Sequence, residues 1–223
     1  MRVTGVDGCR GAWLAATLDD DDCVRWRWTT DIAEVMHAGT AAVAIDIPIG
    51  LPDTGPRACD RAARTLLGRR SASVFPAPVR GVLDCATYAD ARAVLAAAGG
   101  ASMSAQAFGI VAAVRAVDAV LSPADESRVV EAHPEVAFAL MGGGPSLPGK
   151  RTTAGADVRR RLLASWLPTL RQALANVPRG AGRDDALDAL ACAWVARRWR
   201  CGKATVLGDG ARDARGLVMR IVG

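Results

Sequence analysis

Lysine is almost missing from this chain: only Lys150 and Lys203 stand among its 28 basic residues. Arginine carries the rest. The net charge of +5 therefore reads mainly as a compositional bias and only weakly as the footprint of a polyanionic partner. The six cysteines (Cys9, Cys23, Cys59, Cys85, Cys192 and Cys201) include no CxxC pair, which argues against a disulfide framework and a cysteine-held zinc. Histidine is nearly absent too, at two residues. No uninterrupted apolar run reaches the ~18 residues of a membrane span. The chain does not open with a charged segment leading into an apolar one. A soluble, cytoplasmic protein with no membrane partner is expected. No internal repeat or low-complexity linker divides the sequence. With 223 residues and 51% hydrophobic content, one domain over 1–223 is expected, with a helical and loop insertion around 68–125.

What is present begins with an apolar strand broken by Asp7. A carboxylate in a buried strand is unfavourable by several kcal/mol unless a positive or hydrogen-bonding partner meets it. The partner is either a metal ion or an arginine from elsewhere in the chain. Residues 2–7, 12–18 and 23–29 read as three strands with links short enough to force an antiparallel meander. In the third, alternation puts Trp26 and Trp28 on one face and Arg25 and Arg27 on the other. The four aspartates at 19–22 read as a solvated hairpin turn.

Asp31 caps a short helix over 31–38. Residues 41–50 then form a continuous apolar run, the pattern of a central strand buried on both faces, interrupted by Asp46. A helical crossover makes this strand parallel to the first. Asp7 and Asp46 would then sit at the C-terminal ends of neighbouring strands. They repel and raise each other's pKa unless a divalent cation bridges them.

Helices are expected over 57–67, 88–98 and 105–121, with 68–80 a basic, proline-punctuated loop containing an extended stretch. Glu131, in the stretch 127–135, is the third carboxylate to end an apolar strand, and Pro134 opens a helix to about 140. His133 has either a structural role or a metal or phosphate contact. Residues 144–151 approach a phosphate-binding loop but lack its Ser/Thr and its preceding strand, and two prolines remove N–H donors. Lys150 and Arg151 remain as anion contacts. After a helix over 156–176, residues 182–195 place Leu187, Leu190, Ala191, Trp194 and Val195 on a core face. Asp184 or Asp185 caps that helix, leaving Asp188 without a structural reason. Short strands follow at 204–207 and 217–222.

The carboxylates that local structure does not explain are Asp7, Asp46, Glu131 and Asp188, with Asp185 next. Acidic side chains gathered at one end of a sheet are what two-metal phosphoryl transfer needs. Oxygen ligands without a cysteine or histidine cluster favour Mg²⁺ or Mn²⁺.

Gly5-Val6-Asp7-Gly8-Cys9-Arg10-Gly11-Ala12-Trp13, Ile45-Asp46-Ile47-Pro48-Ile49-Gly50, Glu131-Ala132-His133-Pro134-Glu135 and Asp185-Ala186-Leu187-Asp188-Ala189-Leu190-Ala191 together carry a resemblance. The chain resembles the ribonuclease-H-like superfamily and, within it, the predicted nucleases of the domain-of-unknown-function family DUF429. The last motif is also similar to the closing helix of Holliday-junction resolvases. The resemblance implies an α/β fold, a mixed five-stranded sheet flanked by helices, with Asp7 on the first strand, Asp46 on the fourth and Asp188 on the final helix as metal ligands. The expected activity is metal-dependent cleavage of nucleic acid, with DNA or RNA left open along with oligomeric state. Asp7, Asp46, Glu131 and Asp188 are the catalytic candidates and Asp185 a further ligand. Arg10, Lys150 and Arg151 hold phosphate. The alternatives are an inactive nucleic-acid- or nucleotide-binding module of the same fold and a small-molecule phosphotransferase.

Overall fold

The structure, a computed structural model, describes residues 1–9, 11–98, 103–144, 147–150 and 152–223. Arg10 and Arg151 lie outside the described residues. β1 (Val3–Cys9), β2 (Ala12–Leu18) and β3 (Val24–Thr29) form the antiparallel meander that their short links require. α1 (Ile32–Met36) is capped by the Asp31 carboxylate, which accepts from the Ala33 N–H at 2.9 Å. The chain then crosses back, and β4 (Ala42–Ile45) pairs parallel to β1.

Among the described residues four α-helices come next: α2 (Ala58–Leu67), α3 (Tyr88–Ala97), α4 (Ala105–Phe108) and α5 (Val111–Val120). β5 (Val129–Glu131) lies parallel to β4 and completes the sheet in the order β3-β2-β1-β4-β5. α6 (Pro134–Met141), α7 (Thr153–Trp166), α8 (Leu170–Ala175) and the long α9 (Arg183–Arg200) follow. β6 (Val206–Leu207) and β7 (Ile221–Val222) pair as a separate ribbon. This is the mixed five-stranded α/β arrangement that the resemblance implies. Among the described residues no helix is long and apolar enough to cross a membrane.

Three local expectations are corrected. The helix expected over 156–176 is two, because Pro168 offers no N–H and pushes Leu167 to an extended ψ of 94°. The helix expected over 105–121 breaks into α4 and α5 around Gly109, a weak helix former. Residues Gly68–Ser73 form a 3-10 helix where a loop was expected.

Strand alternation sorts the side chains between two cores. Val6, Trp13, Val43, Ile45 and Val129 face one side, toward Met36, Ala91 and Val114. Leu14, Ala16, Ala44 and Val130 face the other, under Phe138, Leu163 and Leu190. On this second face α9 lies directly on β1. A methyl at Gly5 would land on the Ala193 amide nitrogen and the Ala189 carbonyl oxygen, so only hydrogen fits where the helix crosses. That close approach brings the start of α9 to the C-terminal end of β1. Gly5→Ala should lift the helix and destabilise the protein by at least about 1–3 kcal/mol, the range for overpacking. Chemical denaturation measures it, and an unchanged midpoint would show that the crossing tolerates a side chain.

Candidate functional site

One residue past the last paired positions, Val6 and Ile45, the parallel strands present Asp7 and Asp46 side by side. The Asp46 N–H donates to the Val6 carbonyl at 3.0 Å, so the ladder extends to this point. Neighbouring strands lie ~4.8 Å apart. Both aspartates share the parity of Gly5 and Ala44 and project toward α9. That helix supplies Asp185 and Asp188 from its first two turns, three residues apart and so on one side of the helix.

Asp185 accepts the Gly182 N–H at 2.8 Å and the Cys9 thiol at 2.6 Å, which ties the helix start to the end of β1. The Lys150 ammonium donates to Asp188 at 3.0 Å. Among the described residues it is the only basic side chain bonded to one of these four carboxylates.

Burial and like charge dominate the electrostatics. Burial pushes the Asp7 carboxyl well above the ordinary range, and Asp46, Asp188 and Asp185 push it further. Asp46 rises to about 7, mainly through burial, with Lys150 opposing. Asp188 rises to about 6 for the same reason, again against Lys150. Burial works against the Lys150 ammonium, but Asp188, Asp46 and Asp7 outweigh it and hold the amine protonated above its usual range. The group carries more negative charge than its one ammonium offsets.

Glu131 does not join it. Ile45 pairs with Glu131 in register, so this side chain points to the opposite face of the sheet from Asp7 and Asp46. There Arg57 grips it with two bonds of 2.7 Å, and the Ile49 N–H donates to it at 2.7 Å. Arg57 also bonds Asp60 at 2.6 Å and the carbonyls of Ile49 and Gly50 at 3.0 and 3.2 Å. Both Glu131 oxygens are committed, and its work is to hold the turn that follows Asp46.

Arg57 does not belong to the pattern of strand-end carboxylates, although an Arg57–Asp60 spacing at a helix start is a legible ion-pair signal. Glu135, one residue into α6, lies outside that pattern too and is 4% exposed. Glu135 takes two 2.7 Å bonds from the buried Arg159 and one of 3.2 Å from Arg70. Arg159 in turn holds the Pro148 carbonyl at 3.0 Å, and Thr152 holds that of Gly149 at 2.8 Å. These bonds fix the segment from which Lys150 reaches in. His133 has a structural contact: its Nε2 lies 3.2 Å from the Ser73 carbonyl, and burial pushes its pKa down, which favours neutral imidazole.

The aspartates and Lys150 line a cleft of about 960 Å³, whose other wall comes from Arg70 to Phe75 and from α4 and α5. Among the described residues no three acidic, histidine or cysteine side chains are already drawn together around an ion position. The chemistry of the donor set nonetheless fits a hard divalent cation: four carboxylates, partly desolvated and mutually repelling, with a single ammonium among them.

A family described as "Protein of unknown function (DUF429)" matches residues 5–212, a span holding all four aspartates, Arg57 and Lys150. No curated protein and no solved structure matches the chain.

Proposed function

The chain belongs to the DUF429 family of proteins of unknown function, and from that premise we propose that it is a nuclease of the ribonuclease-H-like superfamily that hydrolyses phosphodiester bonds with Mg²⁺ or Mn²⁺. The observation that carries the reading is the convergence of Asp7, Asp46, Asp185 and Asp188 at one end of the sheet with more negative charge than the surrounding residues neutralise. These four would hold the cation. Once bound, it supplies positive charge for the phosphate's developing negative charge and makes water a stronger nucleophile at neutral pH.

The chain's own residues do the remaining work. Lys150 enters from an accessible segment and is long enough to leave Asp188 for a phosphate oxygen. Arg70, a quarter exposed on the cleft wall, adds a second cation whose direction is set by Glu135. The Arg57–Glu131 pair fixes the turn after Asp46, which keeps that carboxylate at the strand end.

The test is cleavage of labelled DNA and RNA by purified protein in Mn²⁺ and in EDTA, beside Asp46→Asn. Mn²⁺-dependent products from the wild type alone support the proposal. Equal products from both proteins sink it. The Lys150–Asp188 ion pair favours a second reading, a binding module of the same fold in which the ammonium replaces the metal. Calorimetric titration separates the two, since no heat with millimolar Mn²⁺ selects the binding module.

A further inference from the structure

Phe75 is 40% exposed, one of three large hydrophobic side chains left in solvent among the described residues. It lines the carboxylate cleft. A phenylalanine beside a core ordinarily turns inward; here its flanks forbid it. Val74 is buried with Leu67 and Val136. The Ser73 carbonyl is held by His133 at 3.2 Å, and the Ala77 N–H by Asp60 at 3.0 Å. Pro76 restricts the backbone between those two anchors. The ring is therefore pre-set facing the cleft, with little ordering entropy left to lose on contact.

The helical wall of the cleft is mostly small-featured, with Gln106 and Ile110 its larger side chains. Gly109, Ala112, Ala113 and Ala116 line the cleft, and Ala112 is exposed. They leave flat apolar room beside a floor of carboxylates and cations. A ligand that suits both halves carries an aromatic face and an anionic group a short distance away, which describes a nucleotide.

We infer that the cleft takes single-stranded nucleic acid, with one unpaired base stacked on Phe75 and its phosphate directed to Lys150 and Arg70. Bases inside a duplex are stacked on each other, so a ring on the cleft wall reaches a base face only when the strand is open. The cleft volume of about 960 Å³ lies at the upper end for small-ligand sites and gives room for a nucleotide or two. The inference rests on the nuclease reading for its substrate class, but stacking on Phe75 is testable without cleavage.

The experiment is fluorescence anisotropy in EDTA with the full chain and labelled single-stranded DNA, single-stranded RNA, a nucleoside monophosphate, and a duplex of the same sequence. Phe75→Ala should weaken single-strand binding about five- to hundredfold, the usual loss of one stacked base, while Phe75→Trp stays within about threefold of wild type. Phe75→Leu, apolar but without a ring, should fall with alanine. Because the side chain is exposed, melting temperatures should not move. Binding of the monophosphate but not of the strands assigns the site to a free nucleotide and overturns the inference. It is equally overturned if Phe75→Ala changes nothing, or weakens duplex and single strand alike. Phe75-dependent strand binding by a protein that never cleaves in Mn²⁺ supports the stacking site and removes the nuclease reading. Cleavage indifferent to Phe75 does the reverse.

Discussion

Asp7→Asn should abolish cleavage and at the same time make the metal-free protein more stable. The first effect follows from removing a carboxylate of the proposed ligand set that is buried at the end of β1. Loss of several kcal/mol of charge stabilisation corresponds to about a hundredfold or more in rate. The second follows from proton linkage. Asp7, Asp46 and Asp188 all have folded pKa values above the 3.8 of a free aspartate, pushed first by burial and then, at Asp7, by Asp46, Asp188 and Asp185, at Asp46 by Glu135 despite Lys150, and at Asp188 by Asp46 despite Lys150. Their contribution to stability is present in full below about pH 4. It is lost as pH rises through about 6 for Asp188 and about 7 for Asp46, where the folded state is forced to hold charges it does not neutralise.

An asparagine at position 7 removes one of those charges and relieves its neighbours. In EDTA at pH 8 its melting temperature should exceed that of the wild type by at least about 4 °C. The difference should close toward pH 4, where the wild-type carboxyl is already neutral. Adding Mn²⁺ at pH 8 should raise the wild type and leave the variant nearly unmoved, since binding to the folded state alone is what stabilises. Differential scanning calorimetry beside the cleavage assay reads all of this. A variant less stable than wild type at pH 8 would mean that Asp7 is satisfied by something other than an incoming cation.

Arg57→Met should be the most damaging single change away from the cleft. The guanidinium is about 1% exposed and bridges two buried carboxylates, Glu131 and Asp60. Removing it leaves both without a counter-charge and frees the Ile49 and Gly50 carbonyls, and breaking a buried pair in this way costs about 3–5 kcal/mol. Arg57→Lys should recover little, because a compact ammonium does not reproduce a planar fork that meets two acids and two carbonyls together. Adding Glu131→Gln and Asp60→Asn to Arg57→Met should restore much of the loss by removing the stranded charges. Urea unfolding of the four proteins checks the series. A single-variant loss under about 0.5 kcal/mol would place Arg57 among ordinary surface arginines. The triple variant should also cleave poorly while folded, because the turn after Asp46 is held through Glu131.

The contrast between Asp46 and Glu131 shows what one dimension of pattern can carry. Each ends an apolar strand, each is acidic, and the strands are adjacent and parallel. Read singly they are equivalent. The register decides otherwise: Ile45, not Asp46, lies beside Glu131, and a shift of one residue reverses the face of a β side chain. Register between non-consecutive strands is set by packing across the sheet, which no local window contains.

The same holds for α9. Its apolar spacing made a helix legible, and Asp188 stood out because the helix gave it no local reason to be there. Its meeting with Asp7 depends on Gly5, where the absence of a side chain lets the helix cross β1. Lys150 was legible only as a cation in a glycine-rich segment. Its bond to Asp188 is an outcome of Arg159 and Thr152 holding that segment against α7.

By itself the sequence determined the meander, the parallel fourth strand, the helical flanks and the identity of Asp7, Asp46 and Asp188 as charges without local partners. Those follow from period, turn length and the unfavourable burial of a carboxylate, all of which act over a few residues. Only the tertiary structure decided which carboxylates share a face, which are neutralised by Arg57 and Arg159, and that Phe75 stands over the cleft. These depend on distances between segments tens of residues apart, and close packing fixes such distances only once the whole chain has folded.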